Sequence, residues 1–190
     1  MRNFTKIDLP TFDLYNEFQK MVDDKKIFWP NRNNQICLNT TEAGPDDFVY
    51  GTGSLVKDWA NSKEISENGL ITIHVPKRDP ILHEHQFVNL VSVFRGTLFE
   101  QVYQSLKSQF NLGRVRLMKQ QPMTCMTWHD DSSKRLHYPI KTQTGCMMVI
   151  EDEVMHIPQN QWWMTDTTKY HTALNGSDQS RIHLVAAILD

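Results

Sequence analysis

The chain has 190 residues, 39% of them hydrophobic and 22% charged, with a formal net charge of −2. This is the composition of one globular domain, large enough for a sizeable core. A charge so near zero excludes a strong nucleic-acid or anionic-membrane footprint, and no apolar run is long enough to span a bilayer. The stretch Met1-Arg2-Asn3-Phe4-Thr5-Lys6-Ile7-Asp8 carries no hydrophobic secretion segment, so cytoplasmic residence is expected. Cys37, Cys125 and Cys146 are few, odd in number and far apart, which points to reduced, buried thiols rather than a disulfide framework.

Residues 1–112 read as a mixed helical region. Phe12, Tyr15, Phe18 and Val22 fall at helical spacing, and Leu55, Val56 and Trp59 predict a further short helix. Thr97-Leu98-Phe99-Glu100 has the form of a capping box; Val102, Leu106 and Phe110 continue that helix, with Gly113 as its stop. Asn31-Arg32-Asn33-Asn34 and Thr40–Asp47 read as loops, and His83-Glu84-His85, after Asp79-Pro80, as a solvated loop. From residue 113 the texture changes to short runs of strand character. They are Val115–Lys119, Met123–Trp128, Leu136–Ile140, Cys146–Ile150, Val154–Ile157, Gln161–Met164 and Ile182–Leu189, separated by turn signals. Closely spaced strands of this kind predict a jelly roll or barrel, so the fold class is mainly β with N-terminal helices, an α+β arrangement in a single domain. Trp162 and Trp163 are expected to pack, Met147 and Met148 to lie in the core, and Trp128 to pack beneath whatever site its neighbours form. His74 and His156 carry no usable signal.

The chemistry concentrates in the last third. His129-Asp130-Asp131 and the distant His171 have the form of a two-His-one-carboxylate triad, which holds one face of Fe(II) and leaves the other open. A downstream Arg181 on a strand can grip the far carboxylate of a 2-oxo acid. Residues two apart share a strand face, so His129 goes with Asp131, Arg135 with His137, and Arg181 with His183. Leu136, Tyr138 and Ile140, and then Ile182, Leu184 and Ala186, fall on the opposite faces. A polar face of His and Arg is costly to bury, and makes sense around a cavity that holds a cation and an anion. Arg135, a bidentate fork, is placed to orient a substrate carboxylate.

The motifs Trp128-His129-Asp130-Asp131, Arg135-Leu136-His137-Tyr138-Pro139-Ile140, Asp166-Thr167-Thr168-Lys169-Tyr170-His171-Thr172-Ala173-Leu174-Asn175-Gly176-Ser177-Asp178 and Arg181-Ile182-His183-Leu184 resemble the aspartyl/asparaginyl β-hydroxylase family, over about residues 114–190. The resemblance implies a double-stranded β-helix (jelly-roll, cupin-like) core at 113–190; residues 1–112, which it does not cover, are expected to pack on that core. The resemblance also implies Fe(II), 2-oxoglutarate and O₂ as cofactor and co-substrates. His129 and His171 match the family's metal ligands, Arg181 its 2-oxoglutarate C5-carboxylate arginine, and Arg135 with His137 its Arg-x-His pair lining the co-substrate and substrate pocket. The family's animal protein hydroxylases have Gly where Asp131 stands here; its bacterial free-amino-acid hydroxylases keep the carboxylate. The expected function is therefore hydroxylation of an amino acid, free or in a peptide, with no nucleic-acid or membrane partner. Two alternatives remain at this stage: a cupin-type metal enzyme that does not use 2-oxoglutarate, and a non-catalytic jelly-roll binding module.

Overall fold

The polar–apolar alternation of the last third becomes the two faces of one sheet. In the computed structural model, which describes residues 2–30, 34–67 and 69–189, the first strands are β1 (Phe4–Ile7), β2 (Gln35–Cys37), β3 (Asn39–Thr41), β4 (Lys63–Glu67), β5 (Leu70–His74) and β6 (Phe87–Leu90). They are followed by β7 (Leu112–Gln120), β8 (Thr124–Cys125), β9 (Lys134–Lys141) and β10 (Cys146–Ile150). The last are β11 (Glu153–Met155), β12 (Trp162–Thr165), β13 (His171–Asn175) and β14 (Arg181–Ile188). Two α-helices, α1 (Leu14–Asp23) and α2 (Leu98–Lys107), precede β7.

A six-stranded sheet in the order β1-β12-β9-β14-β7-β2 faces a four-stranded sheet, β11-β10-β13-β8, and every pairing is antiparallel. The sheets are stitched together by Gln120, whose amide donates to Ala173 O at 2.9 Å, and by Asn175, whose amide donates to Gln120 O at 3.2 Å. This is a jelly-roll, cupin-like core. Strands β3–β6 and β4–β5 form two small separate sheets.

On the outer face of the large sheet, Leu136, Tyr138, Ile140, Val115, Leu117, Ile182, Leu184 and Ala186 join one apolar cluster with Leu14, Phe18 and Met21 of α1 and Phe99, Val102, Tyr103 and Leu106 of α2. Each large side chain so enclosed contributes roughly 1.5–3 kcal/mol. Two side-chain donors lock the approach to α1 onto this face: Tyr138 OH donates to Phe12 O at 2.8 Å, and Trp162 Nε1 to Pro10 O at 2.9 Å. The apolar stripe of α1 is Leu14, Phe18 and Met21; Phe12, Tyr15 and Val22 lie partly buried at its margins.

Several expectations are corrected. The N-terminal region is not only helical, because β1 and β2 belong to the large sheet; both are short, and each is stabilised by partners far along the chain, in β12 and β7. Leu55 and Val56 are not helical, and only Trp59–Asn61 makes a turn of 3₁₀ helix. The expected strand at Met123–Trp128 is reduced to Thr124–Cys125. Thr40 and Thr41 are strand rather than loop. Residues 31–33 of the Asn31–Asn34 loop lie outside the described residues. Thr97 does cap α2, accepting from Phe99 N at 3.2 Å, but Glu100 reaches back to Gly96 N at 2.7 Å rather than to the cap residue itself. The helix ends at Lys107, and Gly113 lies inside β7. A Cβ on Gly113 would stand 2.9 Å from the Cβ of Glu84 and 3.0 Å from that of Ala187, so glycine there lets Glu84 press against the sheet. Cys37 and Cys146 are buried free thiols, as expected, whereas Cys125 is exposed. Met148 is core and Met147 is half-buried. Among the described residues no helix is long and apolar enough to cross a membrane.

Candidate metal centre

The segment before Asp131 and the start of β13 meet at one antiparallel bridge. His129 N donates to His171 O at 3.0 Å, and His171 N to His129 O at 2.8 Å. The two imidazole centroids are consequently 4.3 Å apart. Each Nδ1 rests on the carbonyl two residues earlier, Thr127 O at 2.8 Å and Lys169 O at 2.9 Å. A carbonyl only accepts, so each Nδ1 carries the proton and each Nε2 keeps its lone pair for an electrophile. Asp131 is fixed by its own N–H, which donates to Thr167 O at 2.8 Å, and its Oδ2 lies 3.9 Å from His171 Nε2. Ligand atoms of His129, Asp131 and His171 all fall within 4.8 Å of one another, and no other such trio of His, Cys, Asp or Glu converges among the described residues. Two neutral imidazoles and one carboxylate form the donor set that suits non-heme Fe(II). Asp130, by contrast, is exposed.

The inner face of the large sheet forms the floor beneath this trio, and it is basic. Arg114, Arg116, Arg135, His137, Arg181 and His183 are all buried there. In register across the sheet run Cys37, Arg116, Val185, His137 and Trp163. Arg135 shares its face with His137, as the alternation predicts, and both of its terminal nitrogens have partners within the protein. Its NH2 lies 3.3 Å from Glu84 Oε1, its NH1 donates to Ser133 Oγ, and its Nε is 3.1 Å from Asp131 Oδ2, off-line for a hydrogen bond. The guanidinium thus braces Asp131.

Glu84 is the residue that sequence reasoning missed. His83 and His85 are exposed, as expected of a loop, but Glu84 between them is buried. It pairs with Arg114 through NH2 at 3.0 Å and Nε at 3.2 Å, and with Arg135 at 3.3 Å. Burial alone would raise its pKa; the charge and hydrogen bonds of Arg114, with Arg116 and Arg135 behind, outweigh burial and hold it down to about 2.

Arg181 is the converse case. It is buried on the inner face, its Nε is enclosed without a partner, and its side chain makes no hydrogen bond or ion pair with the described residues. Burial pulls its pKa down only to about 10, so it stays charged at neutral pH. An uncompensated buried cation is costly, and here it marks a place where an anion fits. His137 and His183 share one hydrogen bond, Nδ1 to Nδ1 at 3.3 Å, and both Nε2 atoms are enclosed and unpartnered. Burial, then Arg181 and other nearby cations, drop His137 to about 3; burial and Arg181 likewise hold His183 far below its ordinary value. Both rings are therefore neutral hydrogen-bonding groups.

Two aromatic expectations divide. Trp162 and Trp163 pack as predicted, Trp162 in the outer core and Trp163 against the inner cluster of Phe4, Met148, Ile150 and Ile157. Trp128 does not lie beneath the site: it is 45% exposed and stacks on Tyr170, with ring centroids 5.6 Å apart.

Residues 95–190 match the family model described as aspartyl/asparaginyl beta-hydroxylase. Among curated proteins none matches the chain. Of solved structures, AviO1 from Streptomyces viridochromogenes is 12% identical over 99% of this chain and 90% of its own, with a TM-score of 0.45. A 2OG-Fe(II) oxygenase family oxidoreductase from Burkholderia pseudomallei is 12% identical over 54% of this chain and 60% of its own, with a TM-score of 0.39. A cupin domain from Bordetella pertussis is 16% identical over 40% of this chain and 81% of its own, with a TM-score of 0.35. The matched half of the chain carries the trio, the Arg-x-His strand and Arg181, and the chain belongs to the aspartyl/asparaginyl beta-hydroxylase family.

Proposed function

We propose that the chain is an Fe(II)- and 2-oxoglutarate-dependent dioxygenase that hydroxylates an amino acid, free or in a peptide. Family membership carries the coarser part, a hydroxylase-type oxidoreductase. The observation that carries the finer part is the convergence of His129, Asp131 and His171 above a floor holding an unpaired Arg181. His129 and His171 would offer Nε2 and Asp131 a carboxylate oxygen to Fe(II). When bound, iron and 2-oxoglutarate supply the oxidising chemistry, consuming O₂ and releasing succinate and CO₂.

The chain's own residues position and shield. Arg181 would hold the far carboxylate of 2-oxoglutarate in a buried, charge-assisted pair. His137 lines the same floor as a neutral group that donates or accepts without adding charge. Arg135, braced by Glu84 and Ser133, keeps Asp131 turned toward the two histidines. A metal enzyme with no dicarboxylate co-substrate would leave Arg181 uncompensated, and a non-catalytic module would have no use for the trio.

The test is incubation of purified protein with Fe(II), 2-oxoglutarate and labelled O₂, followed by mass spectrometry of amino acids and peptides. The expected result is succinate formation, matched by a one-oxygen gain from O₂ in one substrate and lost in His171→Ala. Product formation that continues without 2-oxoglutarate would refute the reading.

A further inference from the structure

Every residue of β4 and β5 is exposed, whereas all eight residues of β14 are buried. The β4–β5 hairpin is nevertheless not polar: Ile65, Leu70, Ile71 and Ile73 are 44% to 74% exposed. A two-stranded hairpin open to water on both faces is marginal by itself, and is stabilised by a further strand or a packed face. Among the described residues β4 and β5 pair only with each other.

Their outer edges differ. β4 carries Lys63, Glu64 and Glu67, the charged side chains that guard an exposed edge. β5, Leu70-Ile71-Thr72-Ile73-His74, has no acidic residue, lysine or arginine and is rich in β-branched residues. Glu67 and Leu70 face each other across a two-residue connection, and a connection of that length closes on a hydrogen-bonded pair. Backbone groups alternate from there. Leu70, Thr72 and His74 turn theirs toward β4, and Ile71 and Ile73 turn theirs outward.

That outward edge is its own complement. Two copies of β5 laid antiparallel about a two-fold axis at Thr72 set Ile71 against the second copy's Ile73, twice, and Thr72 against Thr72. The outward N–H and C=O groups of both isoleucines then all find partners. A slip of one residue would instead oppose groups that β4 already holds. The four isoleucines form one block of β-branched cross-strand pairs, and no charge of one β5 meets a charge of the other. The two β4 strands become the outer edges of a four-stranded sheet, and their charges stop the assembly at two copies. The four apolar side chains of each hairpin leave on the order of 400 Å² open to water. With the backbone edge, two hairpins would bury roughly 1,000 Å² in total, the lower bound for a specific interface, which suits a dissociation constant of about 1–100 μM.

We propose that the β4–β5 hairpin is a homodimerisation edge, on which β5 pairs antiparallel with β5 of a second copy of this chain about Thr72. It is independent of the chemistry at the metal centre.

The test is sedimentation velocity of the full chain under reducing conditions, from about 1 to 200 μM. The expected result is a concentration-dependent shift from monomer to dimer and no larger species. Ile71→Lys changes a side chain that already stands in water, so its Tm should match the wild type while it stays monomeric throughout. The register is read by cross-linking, with the exposed Cys125 replaced by Ser. Thr72→Cys places its two thiols on residues about 4.5 Å apart between Cα atoms, within disulfide reach, and should give a covalent dimer in an oxidising glutathione buffer. Leu70→Cys sets them four residues, about 13 Å, apart along the strands and should not. If Ile71→Lys does not fold, the two cysteine variants decide. A wild type that stays monomeric, whatever else then covers the hairpin, overturns the proposal. So does an Ile71→Lys variant that dimerises like the wild type, or cross-linking that is as efficient at Leu70→Cys as at Thr72→Cys.

Discussion

The two faces of the six-stranded sheet are built from the same strands, yet they do opposite things. Outward, Leu136, Tyr138, Ile140 and Leu184 are fully enclosed by α1 and α2. Inward, one residue away at each step, stand Arg135, His137, Val185 and His183. The outer face gains free energy by excluding water. The inner face gives some of it back by burying cations and imidazoles whose partners are not all supplied by the chain. A strand's twofold period lets both demands be met without compromise, because a change on one face leaves the other's side chains where they were. Apolar burial is thus concentrated on the helix side, and uncompensated polar groups on the opposite face.

The sharpest way to break this division is from outside. Phe99→Ala should cost about 3–5 kcal/mol by leaving a cavity under α2. Fe(II) affinity should be unchanged wherever the variant is still folded, as denaturant melts run with metal titrations will show. A smaller stability loss, but with a different signature, is expected from Glu84→Gln. Losing the carboxylate leaves Arg114 and Arg135 short of charge, for about 1–3 kcal/mol. Because Arg135 also braces Asp131, Fe(II) affinity should fall by roughly 10–100-fold as well. If Glu84→Gln weakened the fold and not the metal site, the link through Arg135 would be wrong.

Acid should act on the inner face first. His137 has a folded pKa of about 3, and His183 is also well below its ordinary value. As pH falls below about 6.5, the unfolded chain takes up protons that the folded chain refuses. Each of these histidines then removes about 1.4 kcal/mol per pH unit, starting well above the range in which carboxylates titrate. Glu84 adds to the loss only between 4.5 and about 2. Melting curves between pH 7 and pH 5 should therefore already slope downward. A flat profile over that range would mean that the two rings titrate normally.

How much of this was legible in the sequence depended on whether the signal was local. The alternation in Arg135–Ile140 and Arg181–Ala186 named both faces correctly, and the His-x-Asp spacing with the distal His171 named the trio that converges. Partners are another matter. Nothing near His83-Glu84-His85 announces a buried carboxylate, since its partners lie 30 and 51 residues further on. For the same reason Arg135 was legible as inward-facing, but its contacts with Glu84 and Ser133 were not. The strands Phe4–Ile7 and Gln35–Cys37 are too short to show a period, and exist because β12 and β7 offer them edges.

The central claim is that the inner face holds one divalent metal and one dicarboxylate. The most direct measurement is anaerobic titration of the protein with Fe(II) and then 2-oxoglutarate, followed by visible absorption. The account predicts one equivalent of Fe(II) per chain and a charge-transfer band in the wild type. The band should vanish in His171→Ala, and in Arg181→Ala it should reappear only at about 30-fold or more 2-oxoglutarate. A wild type without the band, or an Arg181→Ala variant that saturates at the wild-type concentration, would contradict it.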